Sequence, residues 1–273
     1  MTHPRTEPPK GTTTTMAKKS SAPASNARQA KIQAAQKQQG GGANKIVVAT
    51  VVLVVAIIAV VAGVIWVEQS KQDEITGGGN ALPPGVSELG AGFPAFADVT
   101  PNEGAPTLDL YEDFQCPACA TFEALLGPTI EELATAGDIR LVYHVKNFLD
   151  DNLRNDSSTR AGNAAFCAAD AGKFQEYHDQ LYTQQPATEG DGFSNETLTS
   201  IATSVGISGD ALTTWESCLK AGRYTDYVNS VEEASFQDGV RGTPTVRING
   251  EEIELAAIQT PDLLKQAVEV ATK

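Results

Sequence analysis

Histidine and cysteine are scarce in this chain, with three His and four Cys among 273 residues. A structural zinc site takes four such ligands, normally as two closely spaced pairs. Only Cys116 and Cys119 stand at that spacing; Cys167 and Cys218 are alone, and His144 and His178 have no neighbour at ligand spacing. Zinc held by the cysteines is therefore disfavoured. Basic residues are also thin over most of the chain. Residues 1–45 hold eight Lys/Arg against one Glu, a net +7, whereas the remainder holds 12 bases and 33 acids, a net −21. A nucleic-acid binder needs a basic face on its folded part, so that class is set aside. No internal repeat is visible.

Charge is missing altogether from IVVATVVLVVAIIAVVAGVIWV, residues 46–67. As a helix, 22 residues at 1.5 Å each span roughly 33 Å, enough for a bilayer core. A buried soluble helix is rarely apolar all round for six turns. A cleaved signal peptide has a shorter apolar run, a shorter basic leader and a small-x-small exit, and WVEQS (66–70) offers no such site. The reading is a retained transmembrane anchor. Basic residues before it and Glu68, Asp73 and Glu74 after it predict a cytoplasmic N-terminus and an extracytoplasmic domain.

Around the anchor the chain divides by composition. Residues 1–45, rich in Thr, Ser, Ala, Gln and Lys, have no hydrophobic period and read as a disordered basic tail. Met16 opens a second short leader, MAKKS, and is a second candidate start. Residues 68–106 are crowded with Gly and Pro and read as a linker ending in an N-terminal arm. From 107 to 273 the order is strand, helix, strand, helical insertion (about 155–237), two strands, helix. TLDLYEDF alternates as a strand; the helix after it carries Pro128, expected to kink or break it. DIRLVYHVKNF reads as the second strand, and Ser208 as the N-cap of a helix with Asp210 in its first turn. VRGTPTVRING gives a loop, a strand and an Asn-Gly turn into a second strand near EEIEL. Thr260-Pro261-Asp262 opens the closing helix.

FQCPACATFE (114–123) puts Cys116 and Cys119 three positions apart at a strand-to-helix junction. With zinc disfavoured, an inert bridge and a redox couple remain. An inert bridge would close a tiny loop and add little chain-entropy stabilisation. At the start of a helix, unpaired N–H groups and the helix dipole favour a thiolate on Cys116, where cysteine pKa values fall to about 3.5–7.5. Pro117 suits the first helical position, its missing N–H being one that would go unpaired. A strand-to-helix C-x-x-C in such a setting suits thiol–disulfide exchange: Cys116 the exposed attacking and leaving sulfur, Cys119 its buried partner. Cys167 and Cys218 sit in helical stretches as two buried thiols or as a bridge clamping two helices. The expected extracytoplasmic location favours the bridge.

YEDFQCPACATFE, the helical insertion and GVRGTPTVRING together resemble DsbA-type disulfide oxidoreductases of the thioredoxin-like superfamily, over about residues 95–273. The resemblance implies a thioredoxin-like α/β fold with a helical insertion, here behind a tail and one transmembrane helix. It implies that Cys116 is the nucleophile, Cys119 its buried partner, and Pro244 the cis-proline facing the sulfurs. Thr243 would hydrogen-bond an incoming polypeptide, with Pro117 and Ala118 on the substrate-facing surface. Some such proteins carry a second cysteine pair in the helical domain, as Cys167 and Cys218 would here. The expected partners are reduced exported polypeptides and a quinone-linked membrane oxidant, DsbB-like or VKOR-like; no metal or soluble cofactor is implied. One departure is Ala118, where the best-known strong oxidants have histidine. Without that positive partner the disulfide should be less oxidising, and acidic Glu112 and Asp113 nearby would push the same way. Oxidation, reduction or isomerisation, and a non-catalytic module with a structural bridge, remain alternative readings.

Overall fold

Leu108 and Leu110 are wholly buried on one face of strand β2 (Thr107–Glu112), which lies in the middle of a five-stranded sheet. The computed structural model describes residues 80–272 and, apart from them, only Val54; the expected tail and anchor therefore lie outside the described residues. Among the described residues no helix is long and apolar enough to cross a membrane. In chain order the remaining elements are β1 (Phe93–Pro94), α1 (Pro117–Thr135), β3 (Arg140–Val145), α2 (Phe148–Leu153), α3 (Ser157–Ala169) and α4 (Phe174–Thr183). They continue with α5 (Asn195–Ser204), α6 (Asp210–Ala221), α7 (Thr225–Gln237), β4 (Thr245–Ile248), β5 (Glu251–Ile253) and α8 (Pro261–Ala271).

The strand order is β1-β3-β2-β4-β5. Only β2 and β3 run parallel, as a strand–helix–strand crossover through α1 requires; the other pairs are antiparallel. The later part of segment 68–106, expected as an N-terminal arm, packs on the domain. Phe93 and Pro94 pair with Tyr143 and Val142, Phe93 and Ala105 are buried, and Tyr227 Oη donates to the Ala91 carbonyl at 2.7 Å. The Gly/Pro content that reads as linker here serves turns rather than slack chain. Helix α2 (Phe148–Leu153) precedes the segment of about 155–237 expected as the helical insertion.

Pro128 does not break its helix: α1 runs for 19 residues through it. Proline there removes one N–H donor, but Leu126, Thr129, Ile130, Leu133 and Ala134 continue the buried face on both sides of it. Packing outweighs the lost bond. Ser208 is not the N-cap of α6. That place is taken by Gly209 at φ 57°, a conformation open to glycine, and Ser208 only supplies a carbonyl to Leu212. In the insertion, α3 buries Ala161, Ala164, Ala165, Phe166 and Ala168 against its neighbours. Small side chains allow close approach: a Cβ on Gly162 would come within 3.0 Å of Val228. A disulfide between Cys167 and Cys218 joins α3 to α6.

Candidate active site

The C-terminal end of β2 runs into a four-residue turn, Asp113–Cys116, whose geometry is set by buried polar groups. Asp113 Oδ1 accepts from the Gln115 N–H at 2.9 Å and from Ser158 Oγ at 2.5 Å, and Asp113 Oδ2 accepts from the Leu149 N–H at 3.2 Å. Burial pushes the Asp113 carboxyl up to about 7, against the hydrogen bonds from Ser158, Gln115 and Leu149. Gln115 Nε2 reaches Asp150, Asn155 and Ser158 at 2.8–3.0 Å. From the loop just after α4, Gln185 Nε2 donates to the carbonyls of Phe114 and Cys116 at 2.8 and 3.0 Å. The insertion therefore holds the reactive turn from two sides.

Cys116 occupies the N-cap of α1 with Pro117 next, and the first turn contains no acid to compete with a thiolate. Cys116 retains 7% exposure and Cys119 none; both are free thiols. Hydrogen bonding from the Cys119 thiol brings Cys116 down to about 6. Burial opposes this, while Thr243 and the N–H groups of Cys119 and Ala118 assist. Cys119 moves the other way, chiefly by burial, then by its bond to Cys116 and the charge of Glu112. At neutral pH the pair is one thiolate and one thiol, with the thiolate on the accessible sulfur.

Facing them is the Thr243–Pro244 peptide bond, which is cis. Cys116 Sγ lies 3.5 Å from the Thr243 carbonyl oxygen. The Thr243 hydroxyl makes no hydrogen bond of full geometry among the described residues, but it faces both sulfurs and favours their thiolates. The structure thus brings Cys116, Pro117, Ala118, Cys119, Thr243 and Pro244 to one place. Pro117 and Ala118 are exposed at the helix start. Ala118 has no side-chain charge to offer, but its N–H is one of the thiolate's donors. Cys167 and Cys218 lie in the insertion.

Four residues were not read from sequence as parts of this site: Gln115 and Gln185, which hold the turn together with Asp113, and Glu123 and His178. With Glu112, the last two form a buried group beside Cys119, close enough together to hold a metal ion. Glu123 follows Cys119 by four residues, which puts it on the same helix face; that was the available signal. His178, 66 residues from Glu112, gave none.

A family model described as thioredoxin matches residues 101–269. The chain is similar to the structure of oxidised Mtb DsbA at 28% identity and a TM-score of 0.54, covering 68% of this chain and 93% of that one. It is similar also to the reduced disulfide bond oxidoreductase DsbG from Mycobacterium tuberculosis, at 30% identity and a TM-score of 0.53, covering 64% and 84%. A curated relative, serine/threonine-protein kinase PknE of Mycobacterium tuberculosis, is 28% identical over 123 residues, 42% of this chain. The chain spans 21% of that protein's length.

Proposed function

The chain belongs to the thioredoxin family as a DsbA-type thiol–disulfide oxidoreductase, and from that premise we propose that it introduces disulfide bonds into exported polypeptides outside the cytoplasm. The observation that carries the oxidising direction is the opposed acidity of the two cysteines. Cys116 at about 6, against 9.0 for an ordinary cysteine, is a good leaving group and a stable reduced product.

In the oxidised enzyme a substrate thiolate attacks Cys116 Sγ. A substrate–Cys116 disulfide forms, the Cys116–Cys119 bond breaks, and Cys119 departs with the electron pair and takes up a proton. A second substrate thiolate then attacks the substrate sulfur of this mixed disulfide, and Cys116 leaves as the stabilised thiolate. Two electrons have passed from substrate to enzyme. Turnover requires their removal, for which a quinone-linked membrane oxidant, DsbB-like or VKOR-like, is the proposed partner. Thr243, Pro117 and Ala118 form the proposed substrate-facing surface, with Thr243 supplying backbone hydrogen bonds. The charge-free span 46–67 would anchor the domain to the outer side of the membrane. The Cys167–Cys218 disulfide supports an oxidising location.

The absence of a charge at Ala118 favours a second reading, in which the same pair reduces or isomerises disulfides. Equilibration of the pair against glutathione separates them. The oxidase reading expects a potential nearer the roughly −120 mV of a strong oxidant than the roughly −270 mV of thioredoxin. A value near the latter overturns it.

A further inference from the structure

Beside Cys119 three buried side chains from three elements converge, and the exchange reaction described above does not use them. Glu112 comes from the end of β2, Glu123 from the second turn of α1 and His178 from α4. One donor atom of each lies within 4.8 Å of the other two, and the residues are 2%, 8% and 0% exposed.

The hydrogen bonding in this cluster is incomplete in a specific way. His178 Nδ1 lies 3.0 Å from Asp179 Oδ1, and Nε2 lies 2.9 Å from Glu112 Oε2. Nδ1–H donates to Asp179 and Nε2 is directed into the cluster at Glu112, the orientation of carboxylate–histidine–metal arrangements once the Nε2 proton is displaced. Glu112 Oε1 and Glu123 Oε1 are both buried without a donor, although the two carboxyl groups are within hydrogen-bonding reach of each other. Buried acceptors so placed require a proton or a cation between them. A cavity of about 250 Å³ borders Glu123. Its wall includes Glu131, which is exposed, and Asp179, whose side chain is 43% exposed. It is an acidic entry for a positive ion.

We propose that Glu112, Glu123 and His178 bind one divalent first-row transition cation of the zinc class, with Asp179 orienting the imidazole. An imidazole and two carboxylates suit zinc-like ions better than calcium or magnesium, whose shells are built from oxygen. Three protein ligands leave a position for water from the cavity. Without an ion His178 carries a proton: burial lowers it, but its bonds to Asp179 and Glu112 raise it to about 10. A doubly charged ion displaces that proton and balances the two carboxylates, so binding competes with protons. Because the ligands come from β2, α1 and α4, the ion would tie the insertion to the sheet and the redox helix.

The test uses untagged full-length chain with Cys116–Cys119 closed as a disulfide, so that thiolates take no metal. Cobalt(II) is added and followed by its visible absorption, and zinc is used to compete it away. The expected result is saturable binding of one ion per chain at micromolar concentration, weakened at least about 100-fold by Glu123→Gln. Asp179→Asn should weaken it about 10–100-fold, the usual effect of an outer partner; Glu216→Gln, on the surface of α6, should leave it unchanged. If Glu123→Gln fails to fold, the Asp179→Asn arm still decides. Absence of saturable binding, or binding indifferent to both substitutions, overturns the proposal and leaves a shared proton as the occupant. The readout is independent of thiol exchange, so it stands or falls apart from the oxidase reading.

Discussion

On the proposed function, exchange depends on loss of a proton at Cys116, and that loss has a pH signature. The rate at which an alkylating reagent modifies the reduced protein should follow a single ionisation at about pH 6. Thr243→Val, which removes the hydroxyl but keeps the β-branch, should move that midpoint upward. The same ionisation affects stability. The folded thiol titrates at about 6 and an ordinary one near 9.0. The reduced fold therefore gains stability as pH rises across that window, keeps it above, and loses it as pH falls through 6. The disulfide form has no such thiol, so denaturation at pH 6 and pH 9 should show the reduced form gaining on the oxidised one. The opposite slope contradicts the assignment of the thiolate. Asp113 carries the reverse dependence, losing stability between about 3.8 and 7, but it is present in both redox forms. The juxtaposition of Cys116, Cys119, Thr243 and Pro244 in the structure follows from two short sequence motifs that hold them. Gln185 could not be read from sequence, since a loop glutamine that bonds carbonyls 69 and 71 residues away leaves no local pattern.

Among the elements, α1 shows where sequence rules give way to packing. Proline in a helix interior costs about 3 kcal/mol relative to alanine, yet α1 continues through Pro128. Pro128→Ala should stabilise the protein by about 1–2 kcal/mol, less than the full penalty because the unfolded chain also gains freedom. Chemical denaturation measures this, and destabilisation would show that the proline ring is needed for packing. Strand and helix order was legible because alternation and helical spacing are local. The partner of the N-terminal arm was not, because Phe93 pairs with Tyr143 fifty residues away, beyond the reach of any local pattern. For the bridge between α3 and α6, 51 residues apart, the double variant Cys167→Ala/Cys218→Ala should lose about 4 kcal/mol by the chain-entropy relation. The pH midpoint of Cys116 alkylation should not change.

At the scale of the whole molecule, the insertion and the thioredoxin core work as a unit. Side chains from the insertion set the turn that presents Cys116: Gln185 through two carbonyls, Ser158 through Asp113, Asp150 and Asn155 through Gln115. Gln185→Ala should slow exchange by about 10-fold, since small misplacements of a reacting atom carry large rate effects, while thermal stability changes little. The central claim is that Cys116 carries the covalent step and that Cys119 is the buried sulfur it releases. Mass spectrometry of the Cys119→Ser variant, after incubation with a peptide activated as a disulfide, tests this most directly. The account predicts a stable mixed disulfide on Cys116 in that variant, and none on Cys119 when Cys116→Ser is treated in the same way. Adducts on Cys119 instead, or on neither sulfur, would contradict it.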